Sequence, residues 1–202
     1  ILELGGGVNG DPSRGKNGLT TVYFSDYENR PLTDAELASI KEHLINLPEL
    51  NWLRIVSSHI TDDGAKDLAE IEQLDALLFE RTLVTDAGLA QVAKLTGLKH
   101  FDLQSRHITD AGVAHLSSLT QLEYLVLDVP QMTDAGLEPL VDLPHLDYLI
   151  LDHTQVGDAS LVYLKRMPAL RRLSLRGTKV TPEGLAKLRE ELPNCKIGHD
   201  FQ

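Results

Sequence analysis

The sequence predicts an α/β solenoid, with a parallel sheet along one side and helices packed along the other. A short phrase recurs along most of the chain. A strand-spaced apolar pattern precedes each copy, and a helix-spaced one follows it. The phrase reads Leu32-Thr33-Asp34-Ala35, Ile60-Thr61-Asp62-Asp63, Val84-Thr85-Asp86-Ala87, Ile108-Thr109-Asp110-Ala111, Met132-Thr133-Asp134-Ala135, Val156-Gly157-Asp158-Ala159 and Val180-Thr181-Pro182-Glu183. From Ile60 onward its first position advances by 24 residues each time, whereas Leu32 and Ile60 are 28 apart. A fixed period of this length marks stacked supersecondary units, because one unit alone has no way to bury its apolar face.

Along the chain, Leu19/Val22/Phe24 reads as a first strand, entered from Ile1–Leu4 through a Gly-rich turn. The sets Leu50/Leu53/Ile55, Leu74/Leu77/Phe79, Leu98/Phe101/Leu103, Leu122/Leu125/Leu127, Leu146/Leu149/Leu151 and Leu170/Leu173/Leu175 follow. Their last two members are two apart, the period of a strand with one buried face. Each phrase then opens a helix. Its Thr suits the N-cap, where a hydroxyl accepts a bond from a free N–H of the first turn. Glu36 completes a capping box with Thr33, and Pro182 stands at the first helical position after Thr181. Behind the phrase, Leu89/Val92/Ala93, Leu137/Leu140/Val141, Leu161/Leu164 and Leu185/Leu188 form one apolar stripe, predicting a helix of roughly three turns. Gly64, Gly88, Gly112, Gly136 and Gly184 recur early in these helices, with Ser160 in the sixth unit. Glycine weakens a helix, so its recurrence predicts a close approach between neighbouring helices. At the end, Leu188–Pro193 finishes a lengthened helix and Cys195–Ile197 reads as a short closing strand, with Cys195 a small core residue of the cap.

The pattern L-x-x-L-x-L followed by I-T-D-A-G-L-x-x-L resembles leucine-rich repeat proteins. The closest type is the ribonuclease-inhibitor-like α/β horseshoe, in the 24-residue form common in bacterial, especially planctomycete-type, repeat proteins. The resemblance covers about residues 19–197. It implies a right-handed α/β horseshoe with its parallel sheet concave and its helices convex. It leaves activity open, because the fold serves many unrelated partners. The expected organisation is one domain over 1–202, with an N-terminal cap and first unit at 1–49, the 24-residue repeats at 50–187 and a C-terminal cap at 188–202.

Composition narrows the function. The chain has 202 residues, 42% hydrophobic and 24% charged, enough to bury a real core. Its net charge of −11 opposes broad binding of nucleic acid or anionic membrane. A single cysteine excludes an intrachain disulfide framework and Cys-rich zinc sites. No apolar run reaches the length of a membrane span. The chain opens at Ile1 without Met or a signal-like segment, which reads as a processed or trimmed piece, and localisation is left open.

Three motifs invite chemistry. Gly10-Asp11-Pro12-Ser13-Arg14-Gly15-Lys16-Asn17 approaches a phosphate-binding loop. However, Asn17 replaces the required hydroxyl, and the alternation that follows is strand-like rather than helical. A hairpin turn fits better than a nucleotide site. Among eight histidines, His59 and His107 share a position two repeats apart, too distant for one zinc, while His43, His115 and His145 read as helical-side surface residues. Asp128 and Asp152 share a position on adjacent strands, as paired carboxylates of a glycosidase would. An open sheet does little to exclude water or split their pKa values, and His153 beside Asp152 supplies no nucleophile. The chain is therefore read as non-enzymatic, with no cofactor and no metal.

The variable positions of the strands fall in three columns facing away from the core. The first is Trp52, Ala76, His100, Tyr124, Tyr148, Arg172; the second is Arg54, Leu78, Asp102, Val126, Ile150, Ser174; the third is Val56, Glu80, Gln104, Asp128, Asp152, Arg176. An apolar and aromatic strip rimmed by carboxylates has the composition of a protein-binding surface. The expected contact residues are Trp52, His100, Asp102, Tyr124, Val126, Asp128, Tyr148, Ile150, Asp152, Arg172 and Arg176. Charge is also segregated: residues 165–196 carry nine Lys/Arg and three Glu, while 1–164 carry ten Lys/Arg and 26 Asp/Glu. Such a dipole steers association. The expectation is a monomeric interaction module holding a protein or peptide on its concave sheet; the alternative is a carbohydrate- or cell-surface-binding module.

Overall fold

A computed structural model describes residues 6–10, 20–24, 31–47, 49–56 and 58–200. Their strands form one nine-stranded sheet in sequence order: β1 (Gly6–Gly10), β2 (Thr20–Phe24), β3 (Leu50–Val56), β4 (Ala76–Glu80), β5 (His100–Gln104), β6 (Tyr124–Asp128), β7 (Tyr148–Ile150), β8 (Arg172–Ser174) and β9 (Lys196–Gly198). From β2 to β9 every pairing is parallel. From β3 to β8 the register steps by 24 residues, as Leu53↔Leu77 and Leu77↔Phe101 illustrate. The strands stand where the L-x-x-L-x-L pattern puts them.

β1 departs from expectation. The Gly-rich stretch forms a strand rather than a turn and pairs antiparallel with β2, Val8 opposite Val22. An otherwise open sheet edge supplies the hydrogen-bond partners that its composition would not suggest. Residues 11–17 of the phosphate-loop-like stretch lie outside the described residues, as do Ile1–Leu4 and Leu19. The element after that stretch is strand β2, not a helix.

The core lies between sheet and helices. Leu53, Ile55, Leu77, Phe79, Phe101, Leu103, Leu125, Leu127, Leu149 and Leu151 are all completely buried. The helical layer is α1 (Asp34–Ile45), α2 (Asp62–Leu68), α3 (Asp86–Val92), α4 (Asp110–Ala114), α5 (Leu161–Leu164) and α6 (Pro182–Glu191), with 3-10 turns at His115–Ser118, Asp134–Leu140 and Asp158–Ser160. Only α1 and α6, of 12 and 10 residues, reach about three turns; α2 and α3 have seven residues. The four extra residues of the first unit therefore lengthen its helix. Inside the array, strand, two crossings and helix share 24 positions, which leaves about two turns. Pro139 lies within Asp134–Leu140 and has no N–H to donate to a helical ladder, consistent with the looser 3-10 form there.

Every Thr of the phrase is an N-cap. Thr33 forms the expected capping box with Glu36, and the hydroxyls of Thr61, Thr85, Thr109, Thr133 and Thr181 accept from first-turn amides. Each of these five also donates backward. The Thr109 N–H and hydroxyl reach the two carboxylate oxygens of Asp86, one unit earlier, at 2.8 and 2.6 Å. Asp34 serves Thr61 in the same way, Asp62 serves Thr85, Asp110 serves Thr133, and Asp158 serves Thr181. This ladder explains the recurring glycines. A Cβ at Gly64, Gly88, Gly112, Gly136 or Gly184 would collide with the Asp carboxylate of the preceding unit. The close approach is thus to a carboxylate rather than simply to a neighbouring helix. The sixth unit changes both members together: Gly157 replaces Thr and donates only one bond to Asp134, from its N–H, while Ser160 replaces Gly and turns its hydroxyl onto the Gly157 carbonyl.

At the C-terminal end α6 stops at Glu191, short of the expected Pro193, and the closing strand β9 runs Lys196–Gly198, one residue later than expected. Cys195 is half-buried against the core rather than within it, and burial raises its thiol pKa.

Candidate binding face

The sheet face opposite the core presents the three columns. On β5 and β6, Phe101, Leu103, Leu125 and Leu127 point inward, while His100, Asp102, Gln104, Tyr124, Val126 and Asp128 are half-buried on the outer face. Tyr23 belongs to the second column as well, in register with Arg54. The strand pattern Leu19/Val22/Phe24 names only inward residues, yet the alternation between Val22 and Phe24 places Tyr23 outside.

The first column is one continuous stack. Tyr124 and Tyr148 meet edge to face with centroids 4.9 Å apart; His100 lies 5.9 Å from Tyr124, and Trp52 5.6 Å from His100. These spacings suit favourable aromatic pairs. Trp52 reaches His100 across a whole strand because the intervening residue is Ala76, which is completely buried. The sequence also allows Trp52 to pack under the Ser25–Pro31 insertion, of which 25–30 lie outside the described residues. At the other end the Arg172 guanidinium sits 4.6 Å from the Tyr148 ring centroid, while its Nη2 lies 3.2 Å from Asp147 Oδ1. Asp147 therefore joins the site. It sits one position before the column, where alternation alone gave no reason to expect it.

The second column is less uniform. Arg54 pairs with Glu80 at 3.0 Å. Val126 and Ile150 lie half-buried beside the tyrosines. Asp102 is unusual: burial, with Glu80 and Asp128 nearby, pushes its carboxyl from 3.8 to about 6, against the lowering pull of Arg54. Burial, with Tyr148 and Asp102, also raises the Tyr124 phenol. Between the two columns, Trp52, Leu78, His100, Phe101, Asp102 and Tyr124 enclose a mainly apolar recess of about 390 Å³.

The third column is held internally. Gln104 Nε2 donates to Asp128 Oδ2 at 2.6 Å, and His153 Nδ1 stands 3.8 Å from Asp128 Oδ1. β7 ends at Ile150, so Asp152 lies beyond the strand, where it accepts the Arg176 backbone N–H at 2.9 Å. The two aspartates thus share a repeat position without forming a matched pair, and the Arg176 side chain is exposed. Past the strand ends, φ is +52° at Arg81 and +63° at His153, and the following Thr82 and Thr154 are buried. In the two units between them Ser105 and Val129 are the buried residues instead. This switch of loop form accompanies a cleft of about 650 Å³ whose rim includes Arg81, Arg106, His107, Asp128 and His153. His145, expected on the helical side, is exposed beside Tyr148 and Arg172.

Among the described residues, no group of three or more His, Cys, Asp and Glu is placed to hold a metal ion. No helix among them is long and apolar enough to cross a membrane.

The family model of the Leucine Rich repeat matches residues 167–188, the stretch from Met167 through β8 to Leu188 of α6. The same unit recurs along eight parallel strands alternating with helices. The match and the recurring unit together mark the fold as a solenoid of leucine-rich repeats. No curated protein matches it. Leucine-rich repeats generally mediate protein–protein interaction and are typically not enzymes. In this leucine-rich repeat solenoid, the aromatic column lies on the sheet face left free by the core and helices.

Proposed function

We propose that the chain is a non-enzymatic interaction module holding a protein or peptide along its concave sheet, over Trp52, His100, Asp102, Tyr124, Val126, Asp128, Tyr148, Ile150, Asp152, Arg172 and Arg176. The observation that carries this reading is the unbroken stack from Trp52 to Arg172. Aromatic side chains and arginine supply most binding energy at protein interfaces, because they bury large area at little entropic cost. Here they are already packed against each other, so binding immobilises little that was free. Val126 and Ile150 extend the apolar strip, while Asp128, Asp152 and Arg176 give it a charged rim. The acidic body and basic C-terminal end orient an incoming partner.

The test begins with affinity capture by the 202-residue chain and by Tyr124→Ala/Tyr148→Ala, followed by calorimetry with the purified partner. A partner protein whose affinity falls on mutation supports the reading. Unchanged affinity in the double variant, with loss on mutating the helical face, overturns it. Selective binding on a glycan array, without a protein partner, would favour the carbohydrate alternative.

A further inference from the structure

The recess between the first two columns contains an unmet electrostatic demand. Asp102 is a half-buried carboxylate with no hydrogen-bond or ion-pair partner among the described residues. Arg54, the cation of the same column, is committed to Glu80. Around Asp102 stand the rings of Trp52, His100 and Tyr124, with Leu78. A buried carboxylate lacking a partner is costly, and ring faces attract cations when water is excluded.

The same face already shows what such surroundings hold. At the C-terminal end of the column, a guanidinium lies against a tyrosine ring and contacts an aspartate; the protein supplies that cation itself, as Arg172. At the N-terminal end aromatic rings and an aspartate are present, but among the described residues no cation forms an ion pair with that aspartate; Arg54 acts on it only from a distance, while paired with Glu80.

We propose that the recess formed by Trp52, His100, Tyr124, Leu78 and Asp102 receives the cationic end of a lysine or arginine side chain from the bound partner. This rests on the concave-face reading and names the chemistry it selects. The ammonium or guanidinium pairs with Asp102 while its methylene stem lies along Leu78 and the rings. Glu80 and Asp128, the neighbouring carboxylates, add negative potential that favours a basic residue and disfavours an acidic one. A neutral apolar side chain of the same length would fill the space but leave Asp102 unpaired.

The chain has a single tryptophan, and it forms one wall of the recess, so its fluorescence and indole N–H resonance report on occupancy. The probes are acetylated and amidated alanine tripeptides with a central lysine or arginine, titrated beside their norleucine and citrulline counterparts. The charged probes should perturb Trp52 saturably at concentrations on the order of millimolar, as suits so few contacting atoms. The neutral probes should bind at least about tenfold more weakly. Asp102→Asn preserves shape and removes the charge; it should weaken the charged probes by a similar factor, with an unchanged far-UV spectrum showing that the fold is retained. The proposal is overturned if no probe perturbs Trp52, if norleucine matches lysine, or if folded Asp102→Asn binds the charged probes normally. Any of those results beside a Tyr148-dependent partner rejects this proposal alone. Partner affinity that survives Tyr124→Ala/Tyr148→Ala rejects the wider reading.

Discussion

The two oxygens of Asp86 accept the backbone N–H and the hydroxyl of Thr109, so one aspartate closes the cap of the next helix. The carboxylate stands where a side chain at position 112 would begin. Glycine to alanine inside a helix ordinarily adds about 0.5–1 kcal/mol of stability. At Gly112 the sign should reverse: the added methyl would meet not only the carboxylate but the Asp86 backbone. Gly112→Ala should destabilise by about 1–3 kcal/mol, the usual cost of overpacking. Urea denaturation of Gly112→Ala, Asp86→Ala and the double variant should give a combined loss smaller than the sum, since both changes disrupt one contact.

Neighbouring residues on β7 should separate stability from binding. Leu149 is completely buried in the core, whereas Tyr148 faces outward between Tyr124 and Arg172. Leu149→Ala should cost about 2–5 kcal/mol of folding stability through the cavity it leaves. Tyr148→Ala should leave folding much less affected and cost about 2 kcal/mol in partner affinity. Thermal melts and calorimetry on the two variants check the division.

Asp102 should shape stability against pH. Its folded pKa of about 6 lies above its ordinary value of 3.8, so the folded chain binds a proton more readily than the unfolded one. That contribution destabilises above about pH 6 and is progressively relieved as pH falls from 6 toward 4. The groups setting it are Glu80 on β4, Arg54 on β3 and Asp128 on β6, besides burial. Asp102→Asn should therefore be more stable than the parent at neutral pH, with the difference shrinking on acidification through this window. Asp158 acts oppositely: the Thr181 N–H and hydroxyl lower its pKa, and the stability they confer is lost as pH falls through the acid range below its ordinary value. Denaturation midpoints measured across acid to neutral pH resolve the two.

Cys195 is partly shielded, and burial keeps its thiol protonated further up the pH scale. Thiolate is the reactive form. A disulfide reagent at neutral pH should label Cys195 more slowly in the folded chain than in denaturant. Equal rates would show the cap to be open.

The strands and caps were legible because each is a local pattern: alternation at Leu53/Ile55, a hydroxyl at Thr109, a proline at Pro182. The columns followed from the same alternation, and Tyr124 and Tyr148 do meet. What remained hidden depends on the spacing between units. The recurring Asp could be seen, but its bond to the next Thr and its exclusion of a Cβ at the next Gly appear only once the units are stacked. Trp52 reaches His100 because Ala76 is small, a relation across three strands. Asp102 is legible as a second-column contact residue, but the rings beside it and its burial appear only in the fold. β1 had no apolar alternation to betray it, since its place depends on the edge offered by β2.

The paired change at Gly157 and Ser160 divides the array into unequal lengths. In a stacked chain, cooperativity passes through nearest-neighbour interfaces, and a weakened interface lets the shorter side open while the longer persists. The Asp134–Gly157 junction has lost the hydroxyl bond present at the neighbouring junctions, and the helix beyond it starts without a side-chain cap. Amide hydrogen exchange should therefore show residues from about Gly157 onward opening together, at a lower free energy than β3–β6. Because this segment carries the positive pole and Arg172, its detachment would remove the guanidinium from Tyr148, turning a fault in the stacking into a gate on one end of the face.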